Sequence, residues 1–266
     1  MNLRICSLAS GSSGNSYVVF TDNTALIVDA GISCKRITEA LSDLGLALSD
    51  VSGVLVTHEH SDHIKGLPLL LKKGLRLYAN RETKEGIEDA LCISIDPENT
   101  VIFSQNGVFQ IGDIEITSFS TSHDAVNPTA FAFESDGKRI CIVTDTGCIS
   151  PEIKDQIRLA DILVLESNHD ENVLKMGPYP WFLKQRILSD RGHLSNEAAA
   201  NALAEIVAEE GSQKRRIVLL AHLSKENNFP EMALATVENT LRENGCSPRA
   251  CIIKVLSRNE VSEIYG

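Results

Sequence analysis

No apolar run in this chain approaches the ~20 residues that a membrane-spanning helix requires, so no membrane partner is expected. The opening residues, Met1-Asn2-Leu3-Arg4-Ile5-Cys6-Ser7, lack the charged and apolar regions of a secretory signal. No C-x-x-C pair occurs. The seven cysteines (Cys6, Cys34, Cys92, Cys141, Cys148, Cys246 and Cys251) are odd in number and scattered, which reads as buried, reduced thiols in a cytoplasmic protein. Basic excess is missing as well, because 25 Lys and Arg against 36 Asp and Glu leave a formal net charge of −11. That argues against broad electrostatic adhesion to nucleic acid or anionic lipid, and leaves room for a local basic patch. No fixed-period repeat, low-complexity tract or Pro/Gly/Ser-rich linker divides the chain. A single domain over 1–266 is expected, long enough for a buried core.

What is present is concentrated at residues 57–63, Thr-His-Glu-His-Ser-Asp-His. His58 and His60 are two apart, so on an extended backbone their side chains leave from one face. Asp62 and His63 follow at once and can point back from the first turn of a helix. Imidazole and carboxylate donors this close together suit a borderline metal such as zinc. Only seven histidines occur in the whole chain, which makes chance clustering in a polar loop the weaker alternative.

The remaining pattern is mixed. Apolar runs predict strands at 3–8, 16–20, 25–28, 53–57, 75–78, 101–103, 108–110, 114–121, 129–134, 139–144, 161–166, 216–221 and 250–255. Asp136-Gly137 is a hairpin turn signal. Helices are predicted near 34–44, 63–72, 80–90, 151–157, 180–189, 195–210 and 230–244, with Ser33 and Ser195 as N-caps. Strands with interspersed helices fit a layered α/β or α+β domain. Five of the strands run into a polar residue at the C-terminal end: Asp29, His58, His123, Asp145 and His222. Sheet proteins build clefts in this way. Taken singly, Asp29-Ala30-Gly31 and Asp145-Thr146-Gly147 could be plain turns, and a lone histidine could be a cap or core residue. Their coincidence with the heptapeptide favours a site.

H-x-H-x-D-H followed by a lone His, a D-T-G aspartate and a final His resembles the metallo-β-lactamase fold superfamily across essentially the whole chain. The resemblance implies a four-layer αββα sandwich. It also implies two divalent metal ions, zinc or manganese with iron possible. One would take His58, His60, His123 and Asp145, and the other Asp62, His63, Asp145 and His222, with Asp145 bridging. Asp62 and Asp29 would join the catalytic machinery, Asp29 by orienting a ligand imidazole. Three segments are similar to the YycJ/WalJ-type branch: Leu8 to Ser16, Glu166 to Asp170, and Gly177-Pro178-Tyr179-Pro180 running to Gly192-His193-Leu194-Ser195-Asn196. That branch implies 5′-to-3′ DNA exonuclease activity, with DNA as substrate and a link to mismatch repair.

A two-metal site of this kind would hold a bridging hydroxide as nucleophile and stabilise the transition state of a phosphodiester. With two carboxylates the site would carry a net charge of about +1, which suits an anionic substrate. His193 is the candidate general acid or phosphate ligand, the alternative being simple decoration of a helix N-terminus. Asn168 and His169 follow a strand and could face the cleft or be structural; Ser195 is a further candidate contact. Ser10, Ser12, Ser13 and Asn15 lie in a glycine-rich loop that could cradle a phosphate or be only a turn. Trp181 and Phe182, close to Lys184, Arg186 and Arg191, are either a nucleic-acid rim or core. Lys214-Arg215-Arg216 reads as a solvated loop before a strand. The competing enzyme reading is a small-molecule hydrolase of the same fold, acting on a thioester, lactone or cyclic phosphodiester. A non-catalytic interaction protein is the third, and the filled ligand positions stand against it.

Overall fold

Short Val-, Ile- and Leu-rich runs form the strands in the computed structural model of the chain, which describes residues 2–210, 215–247 and 249–266. In chain order the strands are β1 (Arg4–Ala9), β2 (Ser16–Phe20), β3 (Ala25–Val28), β4 (Val51–Leu55), β5 (Leu77–Ala79), β6 (Thr100–Ile102), β7 (Val108–Ile111), β8 (Ile114–Ser120), β9 (Thr129–Ser135), β10 (Lys138–Val143), β11 (Ile162–Glu166), β12 (Arg216–Ala221) and β13 (Cys251–Val255). The helices are α1 (Cys34–Asp43), α2 (Ser61–Ile64), α3 (Leu67–Lys72), α4 (Arg81–Leu91), α5 (Pro151–Leu159), α6 (Glu171–Met176), α7 (Trp181–Ile187), α8 (Asn196–Glu210) and α9 (Pro230–Glu243). The expected mixed α/β class is what forms. The chain gathers into two compact units, one of Met1–Ser120, Ala125–Arg139 and Ser257–Gly266, the other of Thr121–Asp124 and Ile140–Leu256.

In the first unit, β1 to β6 form a sheet in sequence order. The β1-β2-β3 pairs are antiparallel, and β3 to β6 run parallel. Parallel strands covered on both faces need continuous apolar runs. Leu26-Ile27-Val28 and Val54-Leu55-Val56 meet that need and are fully buried. Ile37 and Leu41 of α1, Leu67 and Leu70 of α3 and Ile87 of α4 join the same core as Val18, Ile27, Val54 and Leu77. Each such side chain gains roughly 1.5–3 kcal/mol on leaving water, so the sheet ends rest on a firm base. An antiparallel ribbon, β7-β8-β9, belongs to this unit too.

The parallel pairing of β3 with β4 sets Val28 against Leu55, so the two strands finish side by side. Asp29 then leaves the sheet with φ of 60° and donates its amide to Leu55 O at 2.8 Å. The turn carrying Asp62 and His63 is laced to the same place. Asn15 N donates to Asp62 O at 2.8 Å and Ala30 N to His63 O at 2.7 Å. Gly31 is required here, because a Cβ on it would lie 1.6 Å from the Asp62 carbonyl oxygen.

In the second unit, β10-β11-β12-β13 form a parallel set. Three of its strands end on Asp145, Glu166 and His222. Asp145 and His222 have φ of 57° and 56°, the left-handed region seldom used by residues with a Cβ. A sharp turn directly after the strand aims each side chain across the strand ends.

The thirteen predicted strands all form. Ser33 and Ser195 cap their helices, accepting from Arg36 N at 3.3 Å and Ala198 N at 3.1 Å. Asp136 and Gly137 take φ of 53° and 74°, as a two-residue hairpin turn demands. The helix predicted over 63–72 is instead two, because Gly66 N donates to Ala30 O at 2.7 Å instead of back along the helix. Helix α6 was not predicted; Asp170 caps it through Val173 N. Arg216, expected in a solvated loop, is 1% exposed as the first residue of β12, while Lys214 lies outside the described residues. Trp181 and Phe182 are not core: they are 68% and 73% exposed.

Candidate metal centre

In the first unit the heptapeptide packs three imidazoles together. The His58 ring centroid lies 4.6 Å from that of His60 and 4.1 Å from that of His63. Below them sits the Asp29 carboxylate, 1% exposed. Its Oδ1 accepts from Thr57 N at 2.8 Å, and its Oδ2 from Thr57 Oγ1 at 2.9 Å and from His63 Nδ1 at 2.8 Å. A buried carboxylate is tolerable only when its lone pairs are met in this way. The Asp29 bond also fixes the His63 tautomer: Nδ1 carries the proton and Nε2 presents a lone pair. Asp29 therefore acts through His63.

Asn15, expected as a phosphate contact, is fully buried and serves the same cluster. Its Nδ2 lies 3.2 Å from His63 Nε2 and its Oδ1 accepts from Gly11 N at 3.0 Å. Ser10 is buried with Oγ 2.9 Å from the Tyr17 hydroxyl. Only Ser12 and Ser13 of that loop set are exposed.

In the second unit the strand ends of β10, β11 and β12 bring Asp145, Glu166 and His222 together with His193. Each of the four offers a ligand atom, and these atoms lie within 4.8 Å of one another. Asp145 Oδ1 is 3.4 Å from His222 Nε2, 3.7 Å from His123 Nε2 and 3.8 Å from His193 Nδ1. His123 donates Nδ1–H to Gly192 O at 2.9 Å, so its Nε2 is the nitrogen turned toward Asp145.

Glu166 was missed as a site residue. It is fully buried, accepts from Thr146 N at 2.9 Å through Oε2, and accepts from His193 Nδ1 at 2.7 Å through Oε1. The signal was present in the sequence: Ile162-Leu163-Val164-Leu165 ends on Glu166 as the other strands end on their polar residues. Asn168 and Ser195 support the scaffold. Asn168 Nδ2 donates to His222 O at 2.8 Å, and Ser195 caps α8. His169 is 1% exposed and neither ring nitrogen has a hydrogen-bond partner among the described residues. Burial holds its pKa down to about 4, with Glu166 opposing.

Sheets that end in such imidazole and carboxylate sets define a protein equipped for metal chemistry. A profile described as the beta-lactamase superfamily domain matches residues 24–222. The exodeoxyribonuclease YycJ of Bacillus anthracis is 46% identical over 92% of this chain and 91% of its own length. The exodeoxyribonuclease WalJ of Streptococcus pneumoniae serotype 2 is 44% identical over 89% of this chain and 87% of its own. The metallo-β-lactamase fold protein YhfI of Bacillus subtilis superimposes with a TM-score of 0.68 at 17% identity, covering 99% of this chain and 100% of that one, and shows the shared fold. The chain belongs to the beta-lactamase superfamily, in the branch that holds YycJ and WalJ.

Two outcomes are expected. Asp29→Asn should lower zinc affinity about 10- to 100-fold, read by competition with a chromophoric chelator, because the His63 tautomer is no longer enforced. Unchanged affinity would remove Asp29 from that role. For His169, the unfolded chain binds a proton near pH 6.5 and the folded chain only near 4. Its contribution is therefore complete above the unfolded value and is lost as pH falls through that window. Between pH 7 and pH 5 the metal-free protein should lose about 2 kcal/mol through this group. Urea unfolding of His169→Phe should show a pH slope shallower by that amount, and an unchanged slope would contradict it.

Proposed function

We propose that this chain is a two-metal phosphodiester hydrolase that releases nucleotides from DNA 5′ to 3′, acting as one domain over residues 1–266. The Glu166–His193 pair beside Asp145 and His222 carries the reading, since it supplies a held proton donor next to candidate metal ligands. The exodeoxyribonuclease names of the YycJ and WalJ relatives support the same substrate class.

The donor chemistry fits divalent ions. Nitrogen and oxygen donors alone, with the proton of His63 and of His123 held on Nδ1, suit zinc or manganese, and iron as well. One ion would take His58, His60, His123 and Asp145, and the other Asp62, His63, Asp145 and His222. Such ions, when bound, supply Lewis acidity and lower the pKa of bound water.

The chain's own groups do the rest. Asp29 and Asn15 keep His63 in orientation. Glu166 accepts from His193 Nδ1, so as an imidazolium His193 would give the Nε2 proton to the leaving alkoxide, with Nδ1–H kept on Glu166. Thr146 N fixes the other Glu166 oxygen, so the pair is oriented from both sides. Ser12 and Ser13, exposed in their loop, are the groups placed to meet a terminal phosphate. The seven cysteines are all free thiols, with Cys6, Cys34 and Cys141 buried and Cys92 exposed, which supports a reducing, cytoplasmic setting.

The test uses metal-reconstituted protein with end-labelled single- and double-stranded DNA. Mononucleotides should appear from the 5′ end, and Asp145→Ala should abolish their release. Absence of release, or release that survives Asp145→Ala, would contradict the proposal. His193→Ala should lower kcat about 10²- to 10⁴-fold with metal content intact; loss of metal would make His193 a ligand instead.

A further inference from the structure

The second unit holds an exposed aromatic pair that the site does not use. Trp181, the chain's single tryptophan, is 68% exposed, and Phe182 beside it is 73% exposed; Met176, at the end of α6, is 86% exposed. Trp181 and Phe182 are consecutive in the chain, and exposed apolar groups side by side mark contact surfaces where scattered single ones do not. Trp181 and Phe182 begin α7, and their presentation is fixed. Lys184 Nζ donates to Lys175 O and to Gly177 O, both at 2.7 Å, which pins the connection from α6 to the helix.

The other end of α7 is fastened to the candidate centre. His193 N donates to Ile187 O at 3.0 Å, and Gly192 O accepts from His123 Nδ1. Arg186 pairs with Asp124 through both Nε and Nη2, next to His123. Arg191 Nη2 donates to His123 O at 3.2 Å. At ~1.5 Å of rise per residue, the aromatic pair stands about 9 Å along the helix from Ile187.

The charge of this segment also departs from that of the chain. Residues 171–191 carry Lys175, Lys184, Arg186 and Arg191 against Glu171 and Asp190, whereas the whole chain is at −11; Lys175 pairs with Glu171 and Arg186 with Asp124, so Lys184 and Arg191, both bonded to backbone carbonyls, supply the local positive charge. An exposed indole and phenyl flanked by guanidinium and ammonium groups match one ligand chemistry: stacked bases on a phosphate backbone.

We propose that Trp181 and Phe182 form a stacking platform for the unpaired bases of a single DNA strand whose end is delivered past Arg186 and Arg191 to the His123–His193 pair. This rests on the phosphodiesterase reading and adds to it where the strand lies. A second copy of this chain is the competing occupant, and the charge of the segment disfavours it because two such surfaces repel.

Trp181 is its own reporter. Metal-free protein titrated with a single-stranded oligothymidine should show quenched tryptophan fluorescence at low salt. W181A/F182A should weaken binding of that oligonucleotide roughly tenfold or more, measured by anisotropy of a labelled strand, and raise KM for its digestion more than it lowers kcat. Both side chains are exposed, so the variant keeps its fold, and Leu159→Ala, an exposed apolar residue on α5, should leave DNA affinity unchanged. Unaltered fluorescence together with unaltered affinity of the double variant would overturn the platform. So would a change of oligomeric state in sedimentation with DNA affinity retained. Hydrolysis of bis(p-nitrophenyl) phosphate by the metal-loaded wild type separates the two claims. If wild type hydrolyses it and the platform variant binds DNA normally, only the platform falls. If wild type hydrolyses no phosphodiester, the underlying reading falls.

Discussion

Within the first unit, the candidate ligand cluster depends on one buried carboxylate. Asp29 accepts from the Thr57 amide, the Thr57 hydroxyl and His63 Nδ1, all from a position 1% exposed. A carboxylate taken out of water without those donors would cost several kcal/mol. With them, it ties the end of β3 to the end of β4 and sets the ring of His63 in a single tautomer. Asn15 and the Gly31 close approach hold the same turn from the other side. The His63 imidazole is thus oriented by protein partners before any ion is considered.

The second unit solves the same problem with different partners. Gly192 O orients His123, Asn168 supports the His222 backbone, and Glu166 orients His193. Parallel strands make this possible, because adjacent C-terminal ends deliver successive polar residues to one edge. Left-handed backbone at Asp29, Asp145 and His222 is the local cost of turning the side chains at those ends. Such conformations persist where the surrounding hydrogen bonds over-determine them.

Much of this was legible in the residues. Apolar runs bounded by polar stops predicted every strand, and the strand-end rule pointed to Asp29, His58, His123, Asp145 and His222. What escaped depends on partners distant in sequence. The helix over 63–72 breaks because Gly66 meets the Ala30–Ile32 segment, which no local pattern reveals. Asn15 supports an imidazole 48 residues away, and so reads as a loop residue until the fold is known. Arg216 looks solvated within a basic triplet, yet it enters β12 and is buried. Glu166 obeys the strand-end rule, yet a glutamate after an apolar run is a weak signal without His193 beside it. Exposure of Trp181 and Phe182 depended on whether anything packs over α7, which amphipathic spacing alone does not decide.

Donors set in this way are expected to hold two divalent ions. The most direct measurement is metal content per chain by mass spectrometry after reconstitution and desalting, with an anomalous diffraction map on the same preparation. The expected result is two ions per chain, each with imidazole nitrogens among its ligands. A content of one ion or none, or density away from His58, His60, His63 and His222, would contradict it.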